Sequence, residues 1–196
     1  SVRSERGWQL GANSNLPADI RVAWVRSVDA GFHARYSATA RTYRYLILNR
    51  SARSALNRQR AWWVYEPLAE ATMNEAAGLL LGKHDFSAFR AARCQARTPT
   101  REISMLNVER CGEWISVTVK ANAFLQRMVR NIVGVLVAVG RGEQPASWAA
   151  EVLRSRDRTK GGIAAPPQGL TLVAVDYPTE QGVPAAAVPR LMPGVE

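Results

Sequence analysis

The chain has 196 residues, 47% of them hydrophobic, enough to bury a sizeable core in one large domain and too apolar for a disordered segment. Its formal net charge of +10 favours an anionic partner, nucleic acid before a membrane surface. The longest apolar run, Ile132 to Val139, falls far short of the roughly 18 residues of a bilayer span, so no membrane or exit segment is expected and cytoplasm is the default setting.

Residues 1–19 are polar and turn-rich around Asn13, Asn15 and Pro17, and read as a loop or weak helix leading in. Arg21 to Val28 alternates Val22 and Trp24 against Ala23 and Val25, which predicts a strand. Phe32 to Asn49 follows, and its second half alternates like a strand. Tyr43, Tyr45 and Ile47 share one face; Arg44, Leu46 and Leu48 share the other. No acidic residue lies between Asp29 and Glu66, whereas His33, Arg35, Arg41, Arg44, Arg50, Arg53, Arg58 and Arg60 do. Rings interleaved with guanidiniums suit a polyanion that carries flat bases, because rings stack on bases while arginine grips phosphate bidentately. A half-buried strand with a solvated basic fringe carries the same pattern, and the residues alone leave both readings open.

A short aromatic strand is expected at Ala61 to Tyr65. Glu70 to Leu81 places Met73, Ala76, Ala77, Leu80 and Leu81 at helical spacing, with Gly82 at the position of a C-cap. Phe86 and Phe89 then pin a loop to the core. Arg90, Arg93, Arg97 and Arg101 recur every three or four residues with no acid among them, but Thr98-Pro99 breaks any helix, so a basic loop is predicted. Such a loop is either a solvated charge run or a contact for RNA phosphate. Glu102 to Arg110 and Trp114 to Ala121 pair as a hairpin around Cys111-Gly112-Glu113, with Ile115, Val117 and Val119 on its buried face.

The longest helix is predicted from Ala123 to about Gly140, with Leu125, Met128, Val129, Ile132, Val133 and Leu136 as its core stripe. Arg127, Arg130 and Asn131 lie on another side of its first turns. Arg130 is the deepest of these, where an unpaired charge would be costly, so an anionic partner is expected unless the side chain snorkels to solvent. Pro145 opens a further helix with Trp148, Val152 and Leu153 inward. Arg154 to Gly169 is a basic Gly- and Pro-rich loop, and Leu170 to Tyr177 a last strand. The order predicts an α+β fold, a mostly antiparallel sheet with helices packed on it, over residues 1–178, followed by a Pro-rich tail over 179–196.

His33 and His84 are the only histidines, and Cys94 and Cys111 the only cysteines, with no C-x-x-C. That leaves no spacing suited to a zinc site or a disulfide framework. No Walker loop, G-x-G-x-x-G or G-x-S-x-G occurs. Any chemistry must then fall to a carboxylate, a tyrosine or an arginine, without metal or cofactor.

Several motifs, in this order and spacing, resemble one family. FHARYSATARTYRY, FRAARCQARTPTR, ANAFLQRMVRNIVG and APPQGLTLVAVDYP, with NSNLPADI and LLLGKHDFSAF, are similar to the bacterial tRNA pseudouridine synthase A family from about Trp8 to Pro178. The resemblance implies a homodimeric enzyme with the pseudouridine synthase fold, a mixed, mostly antiparallel sheet flanked by helices. It would isomerise uridines in the anticodon stem-loop of tRNA without metal or organic cofactor. In that family an aspartate attacks the flipped nucleotide, the glycosidic bond breaks, and the base turns to rejoin through carbon. Tyr43 matches the active-site tyrosine that packs on the target base, and Arg130 the arginine that pairs with the aspartate. His33, Arg35, Arg41, Arg44, Arg90, Arg93, Arg97, Arg101, Arg127 and Asn131 are the candidate RNA contacts.

One departure concerns the nucleophile. The family carries it in a stretch reading GRTDAGVH. Asp29-Ala30-Gly31-Phe32-His33 looks similar, but Phe32 to Arg35 belongs to the later FHAR motif and Ser27-Val28 stands where Arg-Thr belongs, so Asp29 is read as a decoy. The expectation is therefore a chain without the family's N-terminal part and catalytic aspartate, giving no turnover by itself. A catalytically silent tRNA-binding module of the same descent is the alternative, and a basic scaffold on ribosomal RNA a third.

Overall fold

The computed structural model describes residues 3–185 and divides into two units, the smaller built from residues up to Ala38 together with Tyr177–Ala185 and the larger from Thr39–Asp176. In the smaller unit, Ser4 accepts a hydrogen bond from the Gly7 amide at 3.2 Å and so caps helix α1 (Glu5–Asn15). The alternation over Arg21–Val28 does not produce a strand. Its backbone is taken up by side chains of α1: Gln9 and Asn13 donate to the Val22 carbonyl, Gln9 also to that of Ala23, and Glu5 accepts from the Ser27 amide. A segment whose polar groups are met this way has no ladder left to offer. The proline-rich tail expected over 179–196 lies, from 186 onward, outside the described residues.

The larger unit is an α+β domain on one mixed, six-stranded sheet. Its central strand β1 (Ala40–Asn49) keeps the predicted alternation, with Tyr45 and Ile47 fully buried. β2 (Trp62–Val64) runs parallel to the end of β1, pairing Ile47–Asn49. Helix α2 (Glu70–Gly78) stops three residues before the predicted Leu81. The chain then turns through Leu80, and Gly82, at φ +95°, opens strand β3 (Gly82–Asp85) instead of capping a helix. β4 (Thr100–Cys111) and β5 (Trp114–Ala121) form the expected hairpin, with Gly112 at φ +56° in the two-residue turn.

The long helix α3 begins at Met128 rather than Ala123 and runs to Gly140. Arg127, at φ +63°, interrupts the helical path just before it. A non-glycine residue there costs about 1–2 kcal/mol, so the neighbouring structure must impose it. Helix α4 (Trp148–Ser155) starts after Pro145 and Ala146 have passed through a turn, and β6 (Leu170–Asp176) closes the sheet against β1. Strand order is β2-β1-β5-β4-β3, with β6 on the edge of β1 that β2 also uses.

The core lies between the sheet and the helices, with α3 buried nearly all round. A Cβ on Gly140 would lie 2.7 Å from the Met73 sulfur, so α3 and α2 meet at a bare backbone. Within this core the Tyr45 hydroxyl donates to the Pro166 carbonyl at 2.7 Å. Burial raises the phenol well above the ordinary tyrosine value, while the nearby Arg130 charge pulls the other way without cancelling it. Because the folded phenol titrates above the unfolded one, the unfolded chain loses its proton first. Stability is intact below about pH 10, the ordinary tyrosine value, and falls as pH rises beyond it. Tyr45→Phe is expected to cost roughly 1 kcal/mol at pH 7 and to flatten that alkaline decline. Urea unfolding at pH 7 and at about pH 11 measures both.

Among the described residues no helix is long and apolar enough to cross a membrane.

Candidate functional site

Strand periodicity puts Tyr43 on the same face of β1 as Tyr45 and Ile47. The inner two are sealed, but Tyr43 is half-buried. Its ring stands edge-on to Phe124, 5.2 Å between centroids at 90°, which fixes its plane. The hydroxyl makes no hydrogen bond to any described residue. The result is an oriented ring with an uncommitted oxygen.

Arg130 is the third residue of α3 and is half-buried. Its Nε donates to the Ala165 carbonyl at 2.6 Å, and the Ala165 amide donates back to the Arg130 carbonyl at 3.0 Å. One turn later Gly134 lets the same loop lie directly on the helix, because a Cβ there would sit 2.0 Å from the Ile163 oxygen. Ala165 and Pro166 therefore present consecutive carbonyls, one to Arg130 and the next to Tyr45. The guanidinium is close enough to act on the Tyr45 phenol, and Tyr43 is the next residue along that face. Among the described residues no carboxylate pairs with Arg130, whose bonded partner is a carbonyl.

The other candidates separate by burial. Asn131 is 2% exposed, donates to the Phe89 carbonyl at 2.6 Å and accepts from Arg158 at 3.2 Å. Both ends of its amide are used inside the protein, so the expected RNA contact at Asn131 is corrected to a bracket holding the Ser87–Phe89 turn on α3. Arg90 and Arg101 are half-buried and turned onto their own loop. Arg90 donates to the Cys94 carbonyl at 2.7 Å; Arg101 donates to those of Thr98 and Thr100 at 3.0 and 2.6 Å. Arg93 and Arg97, on the same loop, are exposed, as is Arg127 at the entrance to α3.

Arg41, on β1, donates to the Asn122 carbonyl at 2.8 Å, while Arg44 occupies the face opposite Tyr43. His33 and Arg35 belong to the smaller unit. There the His33 Nδ1 accepts from the Arg35 and Tyr36 amides at 3.1 and 3.3 Å, and the Arg35 guanidinium lies 5.7 Å from the Tyr36 ring centroid. Asp29, in the same unit, is exposed in a turn where its carbonyl accepts from the Phe32 amide.

Cys94 had no role in the sequence pattern, yet it is the hub of the basic loop. Burial pushes its thiol up. The Ala96 and Gln126 amides and the charges of Arg90 and Arg101 outweigh that and bring it below the usual cysteine value. Only the spacing of arginines on both sides hints at this in sequence. Among the described residues no group of three or more His, Cys, Asp or Glu is placed to hold a metal ion.

A family model described as tRNA pseudouridine synthase matches residues 76–178. The chain is 50% identical over 189 residues to a tRNA pseudouridine synthase A from Nitrosococcus oceani, covering 96% of this chain and 73% of that protein. It is 52% identical over 193 residues to the protein of that name from Methylococcus capsulatus, covering 98% and 71%. With one from Coxiella burnetii the figures are 49% over 184 residues, 94% and 70%.

Proposed function

The chain belongs to the tRNA pseudouridine synthase A family, and from that premise we propose that Tyr43 and Arg130 flank one extruded uridine of a tRNA during its isomerisation to pseudouridine. The observation that carries this reading is the pair of consecutive carbonyls at Ala165 and Pro166. They tie the Arg130 guanidinium and the Tyr45 hydroxyl to adjacent points of one loop, and the half-buried Tyr43 is the next residue along the Tyr45 face of the strand. A uridine must leave its stack before its glycosidic bond can be reached, and a fixed ring gives the extruded base a surface.

In the proposed reaction a carboxylate held by Arg130 attacks the nucleotide covalently and the bond from N1 to the sugar breaks. The base turns, C5 bonds to the sugar carbon as the carboxylate leaves it, the C5 proton leaves and N1 gains one. Arginine beside that carboxylate keeps it ionised and aimed. The Tyr43 hydroxyl is the group proposed to take the C5 proton.

The substrate proposed is the anticodon stem-loop, with the protein acting as a homodimer. A second reading is a tRNA-binding module without turnover, favoured by the absence of a carboxylate partner for Arg130 among the described residues. Incubation with unmodified tRNA, followed by assay for pseudouridine, separates the two when run on the chain alone, where no turnover is expected, and on an enzyme that supplies the catalytic aspartate. Formation of pseudouridine supports the first. Tight tRNA binding with no product supports the second, and binding to ribosomal RNA in preference to tRNA overturns both. Sedimentation of the chain with and without tRNA tests the dimer.

The exposed arginines of the 90–101 loop supply the electrostatic part of the proposal. Arg93→Ala with Arg97→Ala is expected to weaken tRNA binding about tenfold and to lower the slope of log K against log salt by up to about two. Filter binding between 50 and 200 mM salt reads both. Equal losses from every exposed arginine of the chain would instead describe a diffuse basic surface.

A further inference from the structure

The outer edge of β1 is divided between two strands. β6 pairs with Ala40–Tyr45 and β2 with Ile47–Asn49, so the ladder is interrupted at Leu46. The chain entering β6 crosses close to this gap. A Cβ on Gly169 would lie 2.6 Å from the Leu46 oxygen and 2.7 Å from the Tyr45 ring. At this seam is a pocket of 320 Å³, with Pro166 and Gln168 on the β6 side and Trp62 and Trp63 on the β2 side. The connection between β1 and β2 covers it with Arg53, Asn57 and Arg58.

The lining has a definite chemistry. It contains two arginines and no acidic residue. The nearby acids are committed elsewhere, Glu113 to Arg50 at 3.1 Å and Glu66 to Arg141 at 3.2 Å. Among the described residues neither Arg53 nor Arg58 has a carboxylate partner. The Trp63 ring is held by its Nε1, which donates to the Arg50 carbonyl at 3.0 Å, and the Arg53 guanidinium lies 4.5 Å from its centroid. A ring fixed at its polar edge and topped by a guanidinium is a two-layer stack on which a further flat group can lie. Gln168 supplies an amide that no described residue engages, and Asn57 a second whose nitrogen donates only to the Ser54 hydroxyl, at 3.4 Å.

Size and chemistry narrow the ligand. The volume sits at the small end of ligand pockets, roughly 300–1,000 Å³, and suits one nucleotide. A bare inorganic anion would leave the indoles and amides unused; an uncharged ring would leave the two arginines unused. The pocket's lining does not include Tyr43. Leu48 lies in its wall and is paired in register with Trp63, and Leu48 belongs to the face of β1 opposite the tyrosines.

We propose that this seam is a second nucleotide pocket, holding one further nucleotide of the bound RNA with its base against the Trp63–Arg53 stack and its phosphate on Arg58. The proposal rests on the RNA-binding reading above and deepens it. Pro166 stands in the pocket wall while its carbonyl holds Tyr45, so the seated nucleotide is separated from the Tyr45 hydroxyl by a single residue.

Two measurements test it on the chain as it stands. In titrations followed by the indole N–H resonances, uridine 5′-monophosphate is expected to shift those of Trp62 and Trp63 saturably, and inorganic phosphate to leave them in place. Arg58→Glu is expected to weaken tRNA binding about tenfold and lower the salt slope by about one. Trp63→Phe, which keeps a ring, is expected to retain most of the affinity and to weaken the nucleotide shift at Trp62.

Unchanged tRNA affinity in Arg58→Glu, with the Arg93 and Arg97 substitutions still effective, would overturn the pocket and leave the RNA reading standing. Equal indole shifts with phosphate and nucleotide would mean a simple anion site and would also overturn it. Absence of any tRNA binding by the unsubstituted chain would sink both.

Discussion

In an enzyme that supplies the catalytic aspartate, Arg130→Ala is expected to lower the rate of pseudouridine formation by at least about a hundredfold while leaving tRNA affinity within about threefold. The magnitude follows from removing a charge that stabilises a reacting group inside a partly buried site, where one lost donor costs 10²–10³ in turnover. The binding side is small because Arg130 is half-buried, unlike Arg93, Arg97 and Arg127. Its Nε is spent on the Ala165 carbonyl, so it lacks the reach of the exposed loop arginines. Losing that bond alone should cost the fold only about 1 kcal/mol, and a thermal melt separates this from the catalytic effect. Arg130→Lys keeps the charge but not the planar fork, and should recover little of the rate. A substitution that weakens tRNA binding as much as it slows turnover would show that the guanidinium contacts phosphate and not a carboxylate.

Gly134→Ala is expected to be the most damaging single methyl addition on α3. The new Cβ would fall 2.0 Å from the Ile163 oxygen, 3.1 Å from the carbonyl carbon and 3.4 Å from the Ala165 amide. All three are backbone atoms, so no side chain can rotate away; either the loop or the helix must move. Overpacking of this kind costs about 1–3 kcal/mol and sometimes more, which for a domain of this size lowers the melting temperature by roughly 2–4 °C per kcal/mol. The same displacement pulls Ala165 from Arg130 and Pro166 from Tyr45, so turnover should fall further than stability does. A melt together with the pseudouridine assay checks this. Full activity in a folded Gly134→Ala protein would mean that the loop does not need its present seat.

What sequence could reveal here follows from where each signal resides. Tyr43, Tyr45 and Ile47 were readable because a two-residue period is written into the strand itself, and the Gly112 turn because a hairpin needs little beyond its own residues. The same period misled over Arg21–Val28, where Gln9 and Asn13 occupy the backbone that a neighbouring strand would need. β3 carries no period of its own and exists only through its pairing with β4. The start of α3 was misplaced because apolar spacing continues through Leu125, while the left-handed turn at Arg127 is a tertiary decision.

The site divides in the same way. Tyr43 and Arg130 are singled out in sequence by motif likeness alone, and the loop arginines by missing acids. Which of those arginines face outward was not legible, because Arg90 and Arg101 bend onto carbonyls of their own loop. Asn131 was misread for a related reason, since a polar residue among arginines reads as surface until its amide is seen filled by Phe89 and Arg158.

The pairing of β1 with β6 sets a timetable for the newborn chain. The strand bearing Tyr43 is among the first parts of the larger unit to leave the ribosome, yet Ala40–Tyr45 gains its partner on one side only when Leu170–Asp176 emerges. During synthesis at about 5–20 residues per second, that border of the sheet waits for several seconds with its amides and carbonyls unmatched, a template for mispairing with other nascent chains. The loop that seats Arg130 and Tyr45 comes immediately before the closing strand. The proposed reaction centre and the sheet are therefore finished almost together, and a chain stopped short of Ala165 would have neither.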